Sequence, residues 1–145
     1  MAPFNFYKAR FNMLTKPILT LEEAKHIAAA AETEALANNW GVVIAIVDDG
    51  GNLLYLQRKH DTQFGSVETA IMKAKAAVAF KRPTKSSEDA VLSGRLIHLA
   101  LPGVIPADGG LPLLRDGVVV GGIGVSGVRS FQDGQIAEAG SAASN

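Results

Sequence analysis

Charged side chains inside otherwise apolar segments are the first candidates for chemistry in this sequence. Lys73 lies in an alanine-rich segment, where burial of its ammonium group would require an anionic partner. Asp48, at the start of an Asp-Asp-Gly-Gly turn, is a candidate partner, and Arg58 ends the strand-like run that follows this turn. The alternative interpretation leaves the Lys73 ammonium in solvent beside Lys75, since a lysine stem can cover apolar surface while its charge stays hydrated.

A glycine-rich run is the second candidate. Residues 121–127 read Gly-Gly-Ile-Gly-Val-Ser-Gly, and backbone N–H groups in such a run can bind an anion. The run lacks the Lys-Ser/Thr end of a Walker loop and the strand-to-helix setting of a dinucleotide fingerprint. Two interpretations remain: a core strand under a closely packed helix, or the edge of a pocket in which Ser126 donates a hydrogen bond beside Gly127.

The three histidines, His26, His60 and His98, do not follow the spacing of a zinc site. The sequence contains no cysteine, which excludes disulfides, thiolate metal sites and a cysteine nucleophile. We therefore predict no zinc site built by the protein. His26 on the first predicted helix, and His98 among aliphatic neighbours, are either structural histidines or groups for haem ligation or acid–base chemistry.

Composition excludes several classes of protein. The 145 residues are 48% hydrophobic and 19% charged, which is typical of one domain with its own core. The 14 basic and 14 acidic residues cancel, so no net field favours nucleic acid or an anionic membrane. No segment has the apolar length of a membrane span or of a signal peptide, and the expected location is the cytoplasm.

A helix and a hairpin are the first elements predicted along the chain. Thr20 and Glu23 form a capping-box pattern at the start of the first helix. The β-branched run 42–47 and the run 52–58 predict two strands joined by the Asp-Asp-Gly-Gly turn. A second helix is predicted over 66–80.

Two further helices are predicted from capping patterns. Ser86 with Asp89 predicts a third helix that carries His98, and Ser130 with Asp133 predicts a closing helix. Between these helices, residues 111–126 predict a second hairpin with an Asp-Gly turn, in which Pro112 indicates an edge strand or a bulge. The predicted fold is α+β, an antiparallel sheet with helices packed on it.

The first 17 residues carry four aromatic side chains without helical or strand periodicity. They are either an extension outside a single domain at 18–145 or an aromatic arm that packs on a neighbouring subunit. Alanine-rich helices, the edge strand and this arm leave faces that need covering, which predicts a homo-oligomer, at least a dimer. The aromatic residues are Phe4, Phe6, Tyr7 and Phe11.

Five motifs occur in a fixed order along the chain: Asn38-Asn39-Trp40, the turn at 48–51, Lys73-Ala74, the Gly-Gly-Leu-Pro turn at 109–112, and Gly-Val-Ser-Gly at 124–127. Together they resemble the GlcG/HbpS-like family over Ile18 to Ala143. The resemblance implies a profilin-like antiparallel sheet with helices on its faces, and oligomers built from dimers. It also implies haem binding or haem degradation, kinship with the C-terminal domain of PduO-type cobalamin adenosyltransferases, and association with glycolate utilisation.

The resemblance extends to individual positions. Haem-binding members are expected to carry a histidine late in the first helix and a hydroxyl residue in the Gly-Gly-x-Pro turn, where this sequence has Glu34 and Leu111. His26 is the nearest imidazole on that helix, two turns earlier. Other positions that match the family's lysine and loops are expected to line one pocket: Asp48, Lys73, Ser126 and Gly127.

Three hypotheses of function follow. The first is a haem-associated protein with His26 or His98 as the iron ligand. The second is an enzyme that transfers a proton on a small 2-hydroxy or 2-oxo carboxylate, with the glycine-rich loop stabilising an enolate-like oxygen. The third is a noncatalytic assembly or sensor domain. In the second hypothesis Arg58 or Lys73 holds the carboxylate, and Asp48 or Glu34 moves the proton.

Overall fold

The computed structural model describes residues 11–145, so Phe4, Phe6 and Tyr7 of the predicted arm lie outside the described residues, whereas Phe11 is exposed. The elements follow in the order helix, two strands, two helices, two strands and a helix. They are α1 (Leu21–Ala37), β1 (Val43–Asp48), β2 (Leu53–Arg58), α2 (Gly65–Phe80), α3 (Lys85–Leu92), a 3-10 turn (Leu96–Leu99), β3 (Gly110–Arg115), β4 (Val118–Ser126) and α4 (Ser130–Ala142).

The strands form one antiparallel sheet in the order β2-β1-β4-β3, which confirms the predicted α+β fold. The two hairpins meet through β1 and β4, where Val43 pairs with Ser126 and Asp48 pairs with Gly121. The edge position of β3 confirms the prediction from Pro112, and the register shifts just after it, between Leu113 and Leu114.

Helices cover both faces of the sheet. Ile44 and Ile46 of β1 pack in one buried cluster with residues of α1 and α4, such as Ile27 and Ile136. The alternating residues Val43, Ala45 and Val47 pack instead against α2. Because both faces of β1 are buried, its sequence is a continuous apolar run rather than an alternating one.

Helix α1 begins as the sequence predicts. The Thr20 hydroxyl oxygen accepts a hydrogen bond from the Glu23 N–H at 3.2 Å, and the Glu23 carboxylate accepts one from the Thr20 N–H at 2.9 Å. A stripe of buried alanines along α1 lets α4 approach closely, since a Cβ at Gly140 would lie 3.1 Å from the Ala31 Cβ. Small residues therefore set the spacing of this helix pair.

Helix α2 lies directly on the glycines of β4. A Cβ at Gly122 would lie 2.6 Å from the Ala74 carbonyl oxygen, and one at Gly124 would overlap the Ala70 carbonyl oxygen. Residues 121–126 are all buried. The structure thus agrees with the core-strand interpretation of the glycine-rich run, in which absent side chains make room for a helix backbone.

The predicted third helix is wrong in its start and in its length. The helix begins at Lys85, and the Ser86 hydroxyl donates to the Pro83 carbonyl instead of capping the helix. Asp89 pairs with Lys85 through one helical turn at 3.0 Å. The helix ends at Leu92, because the chain turns at Gly94, whose φ is +95°, and His98 lies on the separate 3-10 turn.

The capping pattern predicted for the last helix is also wrong. Helix α4 begins at Ser130, as expected from the sequence, but the Ser130 hydroxyl donates to Glu88 at 2.6 Å. The Asp133 carboxylate accepts a hydrogen bond from the Val128 N–H, just before the helix, and another from the Lys73 Nζ on α2. Tertiary contacts therefore use both groups that the sequence assigned to a local cap.

We predict that Gly124→Ala lowers the free energy of unfolding by about 3 kcal/mol, because α2 must move away from a rigid backbone contact. Gly65→Ala is the matched control, since a Cβ at that position would meet no atom within 4 Å and alanine favours a helix. Urea unfolding of both variants measures the difference. Equal stability of the two would contradict the close packing of α2 on β4.

Candidate functional site

The Lys73 ammonium is buried, with 3% of its side chain exposed. Its Nζ donates to the Asp133 carboxylate at 3.0 Å and to the Val125 carbonyl at 2.9 Å. The sequence correctly indicates that a buried Lys73 needs a carboxylate, but Asp48 is wrong as the partner. Asp133 was assigned to a helix cap, and only the three-dimensional packing brings it to Lys73.

The ion pair joins the two helix layers. Lys73 lies on α2 and Asp133 on α4, so the pair reaches past the start of edge strand β3. Gly109 stands at this point with φ +121°, and a Cβ there would lie 3.0 Å from the Lys73 Nζ and 2.9 Å from the Asp133 Cβ. The Gly-Gly-Leu-Pro motif thus leaves room for the ion pair.

Both oxygens of Asp133 have partners. Oδ2 accepts from Lys73, and Oδ1 accepts from the Val128 N–H at 3.1 Å. Burial raises the pKa of the Asp133 carboxyl, while the Lys73 ammonium opposes the rise. Both side chains are only 3% exposed, so this pair is a buried link between the two helix layers.

A second buried carboxyl, Asp108, lies beside this pair. Its Oδ1 accepts from the Gly109 N–H at 2.7 Å, and Glu88 accepts from the Asp108 N–H at 3.1 Å. Burial raises the pKa of the Asp108 carboxyl; the Gly109 N–H opposes this and the Glu88 charge adds to it. Sequence reasoning did not select Asp108 or Glu88. The Asp-Gly-Gly sequence at 108–110 was the available signal.

Asp48 is held inside the first hairpin. Its Oδ1 accepts hydrogen bonds from the N–H groups of Gly50 and Asn52, at 2.9 and 2.8 Å. Burial raises the pKa of this carboxyl, but the hydrogen bonds from Asn52 and Gly50 outweigh burial and leave the pKa below its ordinary value. A carboxylate held in this way stabilises the turn.

The register of the sheet separates Asp48 from other predicted site residues. Arg58 and Ser126 both pair with Val43 at one end of β1, and Asp48 lies five residues away at the other end. Five strand residues span about 16 Å. Within one chain, Asp48 therefore lies apart from Ser126 and Gly127.

The remaining predicted acid–base residue, Glu34, lies on α1, and its side chain contacts α4. Its Oε1 accepts from the Gln135 side chain at 2.7 Å and from the Asn38 side chain at 3.2 Å. The Lys73 ammonium is already paired with Asp133. Within one chain, the residues predicted for proton transfer on a small carboxylate therefore do not meet at a common site. These residues are Asp48, Lys73, Glu34 and Arg58.

Ser126 is the last residue of β4, and Gly127 follows it beside the residues that precede β1. Ser126 is buried, and a Cβ at Gly127 would lie 2.8 Å from the Val42 Cα. The Gly127 carbonyl accepts from the Gln63 side chain at 3.2 Å. The backbone at Gly127 therefore packs against Val42 and the Gln63 side chain.

The two candidate histidines differ in their surroundings. His26 is exposed on α1 and lines a cavity of about 470 Å³ with Ile27 and Arg115. His98 is half-buried, and its Nδ1 lies 3.2 Å from the Ser87 hydroxyl. Among residues 11–145, no group of three or more histidine, aspartate or glutamate side chains is arranged to hold a metal ion.

A cleft of about 450 Å³ opens between the end of α1 and strand β2. Arg58 is the predicted ligand-binding residue that lines it, and sequence reasoning missed the others. The wall combines aromatic, aliphatic and charged side chains, including Glu32, Leu36, Trp40, Tyr55 and Lys59.

Within the described residues, no helix is long and apolar enough to cross a membrane.

We predict that Lys73→Met destabilises the protein by about 3–5 kcal/mol, because it leaves the buried Asp133 carboxylate without its cation. Adding Asp133→Asn should recover part of this loss, since a neutral amide needs no counter-charge. Lys75→Met, on the exposed side of α2, is the control and should stay within about 0.5 kcal/mol of the unmodified chain. Denaturant midpoints measure all three; a small effect of Lys73→Met would exclude a structural role for the pair.

The raised pKa of Asp108 predicts a pH dependence of stability. Its folded state binds a proton more tightly than the unfolded chain, so stability falls as the pH rises from the ordinary aspartate pKa through the raised one. Asp108→Asn removes this contribution and should make the decline shallower, which thermal unfolding across acidic to neutral pH measures. A decline of the same slope in both proteins would show that ionisation of Asp108 is not disfavoured by folding.

Comparisons with known proteins agree with this architecture. The family model for the haem degrading protein HbpS-like family matches residues 19–142. Protein GlcG of Escherichia coli (strain K12) is 41% identical over 114 residues, covering 79% of this chain and 85% of GlcG.

Solved structures give the same result. Klebsiella pneumoniae protein ORFY superimposes with a TM-score of 0.82 and 32% identity, covering 92% of this chain and 95% of that one. The PduOC:haem complex gives a TM-score of 0.77 and 35% identity, with coverage of 88% and 95%. The family match spans most of the chain, and these relatives share its length and topology. The chain therefore belongs to the haem degrading protein HbpS-like family.

Proposed function

We propose that this protein binds haem at its surface, with His98 as the iron ligand. The observation that carries the proposal is the position of His98, which is oriented by the Ser87 hydroxyl and set in an exposed aliphatic segment. The PduOC:haem complex among the structural relatives, and the family description, support haem as the ligand.

The His98 ring meets the first requirement for haem ligation. A ligating histidine usually uses its second ring nitrogen in a hydrogen bond that fixes the ring and its tautomer. The Nδ1 of His98 lies 3.2 Å from the Ser87 hydroxyl. With Nδ1 protonated and donating to Ser87, the lone pair on Nε2 is free to bind iron.

The surroundings of His98 meet the second requirement, an apolar surface for the macrocycle. Leu92 is 80% exposed, and three aliphatic residues on the 3-10 turn are each at least 60% exposed. Covering this surface with a porphyrin stabilises the complex by about 25 cal/mol per Å² of buried apolar area. Arg95, exposed beside them, can pair with a propionate. The three turn residues are Leu96, Ile97 and Leu99.

His26 fits haem less well. Its ring is exposed, and its cavity is lined by the carboxylates of Glu22 and Glu23, which repel propionates. Arg115, the cation of that cavity, is already paired with Glu23 at 2.6 Å. His26 is therefore the matched control for His98.

Haem, when bound, supplies a redox-active iron, and the residues described here bind the macrocycle and orient the imidazole. The family description extends the proposal to oxidative breakdown of the haem. Incubation of the loaded protein with ascorbate in air tests this step. Loss of the Soret band with release of iron supports degradation, whereas a stable band limits the function to binding.

We predict that His98→Ala abolishes the saturable Soret change seen on titration with haem, because it removes the iron ligand, while His26→Ala leaves the change intact. Ser87→Ala should weaken binding by about tenfold or more, because the imidazole loses its orienting partner. If His26→Ala loses haem binding and His98→Ala retains it, His26 on helix α1 is the iron ligand instead.

We also propose that the chain forms a homo-oligomer, at least a dimer. Five exposed large hydrophobic residues lie in the segment 11–21, away from the proposed haem site, with Phe11 at 87% and Leu14 at 96% exposure. Such surface favours symmetric self-association.

Light scattering measures the mass of the full chain and of a version starting at Met13. We expect at least a dimer for the full chain. A change of mass on truncation supports the arm as part of the contact. A monomer in both cases at micromolar concentration would refute the proposal of self-association.

A further inference from the structure

We propose that the cleft between α1 and β2 is a second binding site, for a small aromatic carboxylate that carries a hydroxyl group at its far end. The cleft lies on elements other than α3 and the 3-10 turn, so this inference does not rest on the proposed haem site. Its volume of about 450 Å³ falls within the range of small-molecule sites, roughly 300–1,000 Å³.

The walls of the cleft suit a planar apolar body. Trp40, from the loop after α1, and Tyr55, from β2, both line the cleft and both pack on the main hydrophobic cluster while remaining partly exposed. Ala35 and Ile44 form part of the same lining and are buried. Aromatic rings held by a packed core lose little freedom when a flat ligand contacts them.

The positive charge at the cleft is held in place before any ligand arrives. Arg58 donates through Nη1 to the carbonyls of Thr62 at 2.8 Å, His60 at 3.2 Å and Lys59 at 3.3 Å. These contacts fix the guanidinium and leave its Nε and Nη2 donors without a partner among the described residues. An arginine presented in this way binds a carboxylate through charge-assisted hydrogen bonds.

Two polar groups specify the rest of the ligand. Glu32 also lines the cleft, and its carboxylate makes no ion pair within residues 11–145, so it repels an anion and accepts from a hydroxyl group. The Gln57 Oε1 already accepts from the Tyr55 hydroxyl at 3.2 Å, so its amide N–H groups remain as donors. The ligand's carboxylate therefore lies toward Arg58, and its hydroxyl toward Glu32.

The chain contains a built-in reporter, because Trp40 is its one tryptophan. Intrinsic fluorescence of the full-length protein is titrated with 4-hydroxybenzoate and with 4-hydroxybenzamide, a neutral molecule of the same shape. The expected result is a saturable change in emission with the acid, and at least tenfold weaker binding of the amide, because the amide cannot form the charge-assisted hydrogen bonds with Arg58.

Variants test the assigned roles. Arg58→Gln should weaken binding of the acid about tenfold or more. Leu36→Glu adds a negative charge to the cleft at a position that is 59% exposed and should weaken binding without disturbing the core. Arg82→Gln, an exposed arginine just after α2, is the matched control and should bind as the unmodified chain does. Glu32→Gln should reduce the preference for 4-hydroxybenzoate over benzoate.

Three results would overturn the inference: no saturable emission change with the acid, equal binding of acid and amide, or unchanged binding in both Arg58→Gln and Leu36→Glu. Leu36→Glu keeps the test valid if Arg58→Gln fails to fold. The melting temperatures of both variants are measured alongside. His98→Ala should bind 4-hydroxybenzoate normally, so failure of the haem proposal and failure of this one are distinguishable.

Discussion

The close approach of helix α2 to the glycines of β4 governs how the other layers pack. With no side chains at Gly122 and Gly124, the helix backbone contacts the strand backbone, and small residues such as Ala70 and Ala74 fill the interface. This spacing determines how far a side chain of α2 must reach to pass the sheet. A lysine at position 73 reaches the opposite helix layer, and Gly109 leaves room for its ammonium group.

The buried ion pair has a consequence for function. Because Lys73 and Asp133 satisfy each other and the neighbouring backbone, they are unavailable to a substrate. Asp48 is likewise committed to its hairpin turn. The charged groups that look most reactive in the sequence therefore stabilise the fold, and the two proposed binding sites, at His98 and at the cleft beside Arg58, lie at the periphery.

The two proposed sites use the same device. In each, a polar side chain is oriented by a contact that leaves part of it free: His98 by the Ser87 hydroxyl, and Arg58 by three carbonyls of the following loop. Apolar surface lies beside each, aliphatic near His98 and aromatic near Arg58. Preorganisation of this kind lowers the entropy lost on binding, and it gives a small α+β protein two chemically different surfaces.

The local features were predictable from the sequence. The capping box of α1, both hairpins, the edge position of Pro112 and the need of Lys73 for a carboxylate follow from short-range rules, since turn and cap geometry depends on neighbouring residues. Tertiary packing was needed to show that Lys73 pairs with Asp133 rather than with Asp48, and that Arg58 and Trp40 share a cleft. These contacts join residues far apart in sequence, and their energies depend on how helices pack across the sheet, which no local pattern encodes.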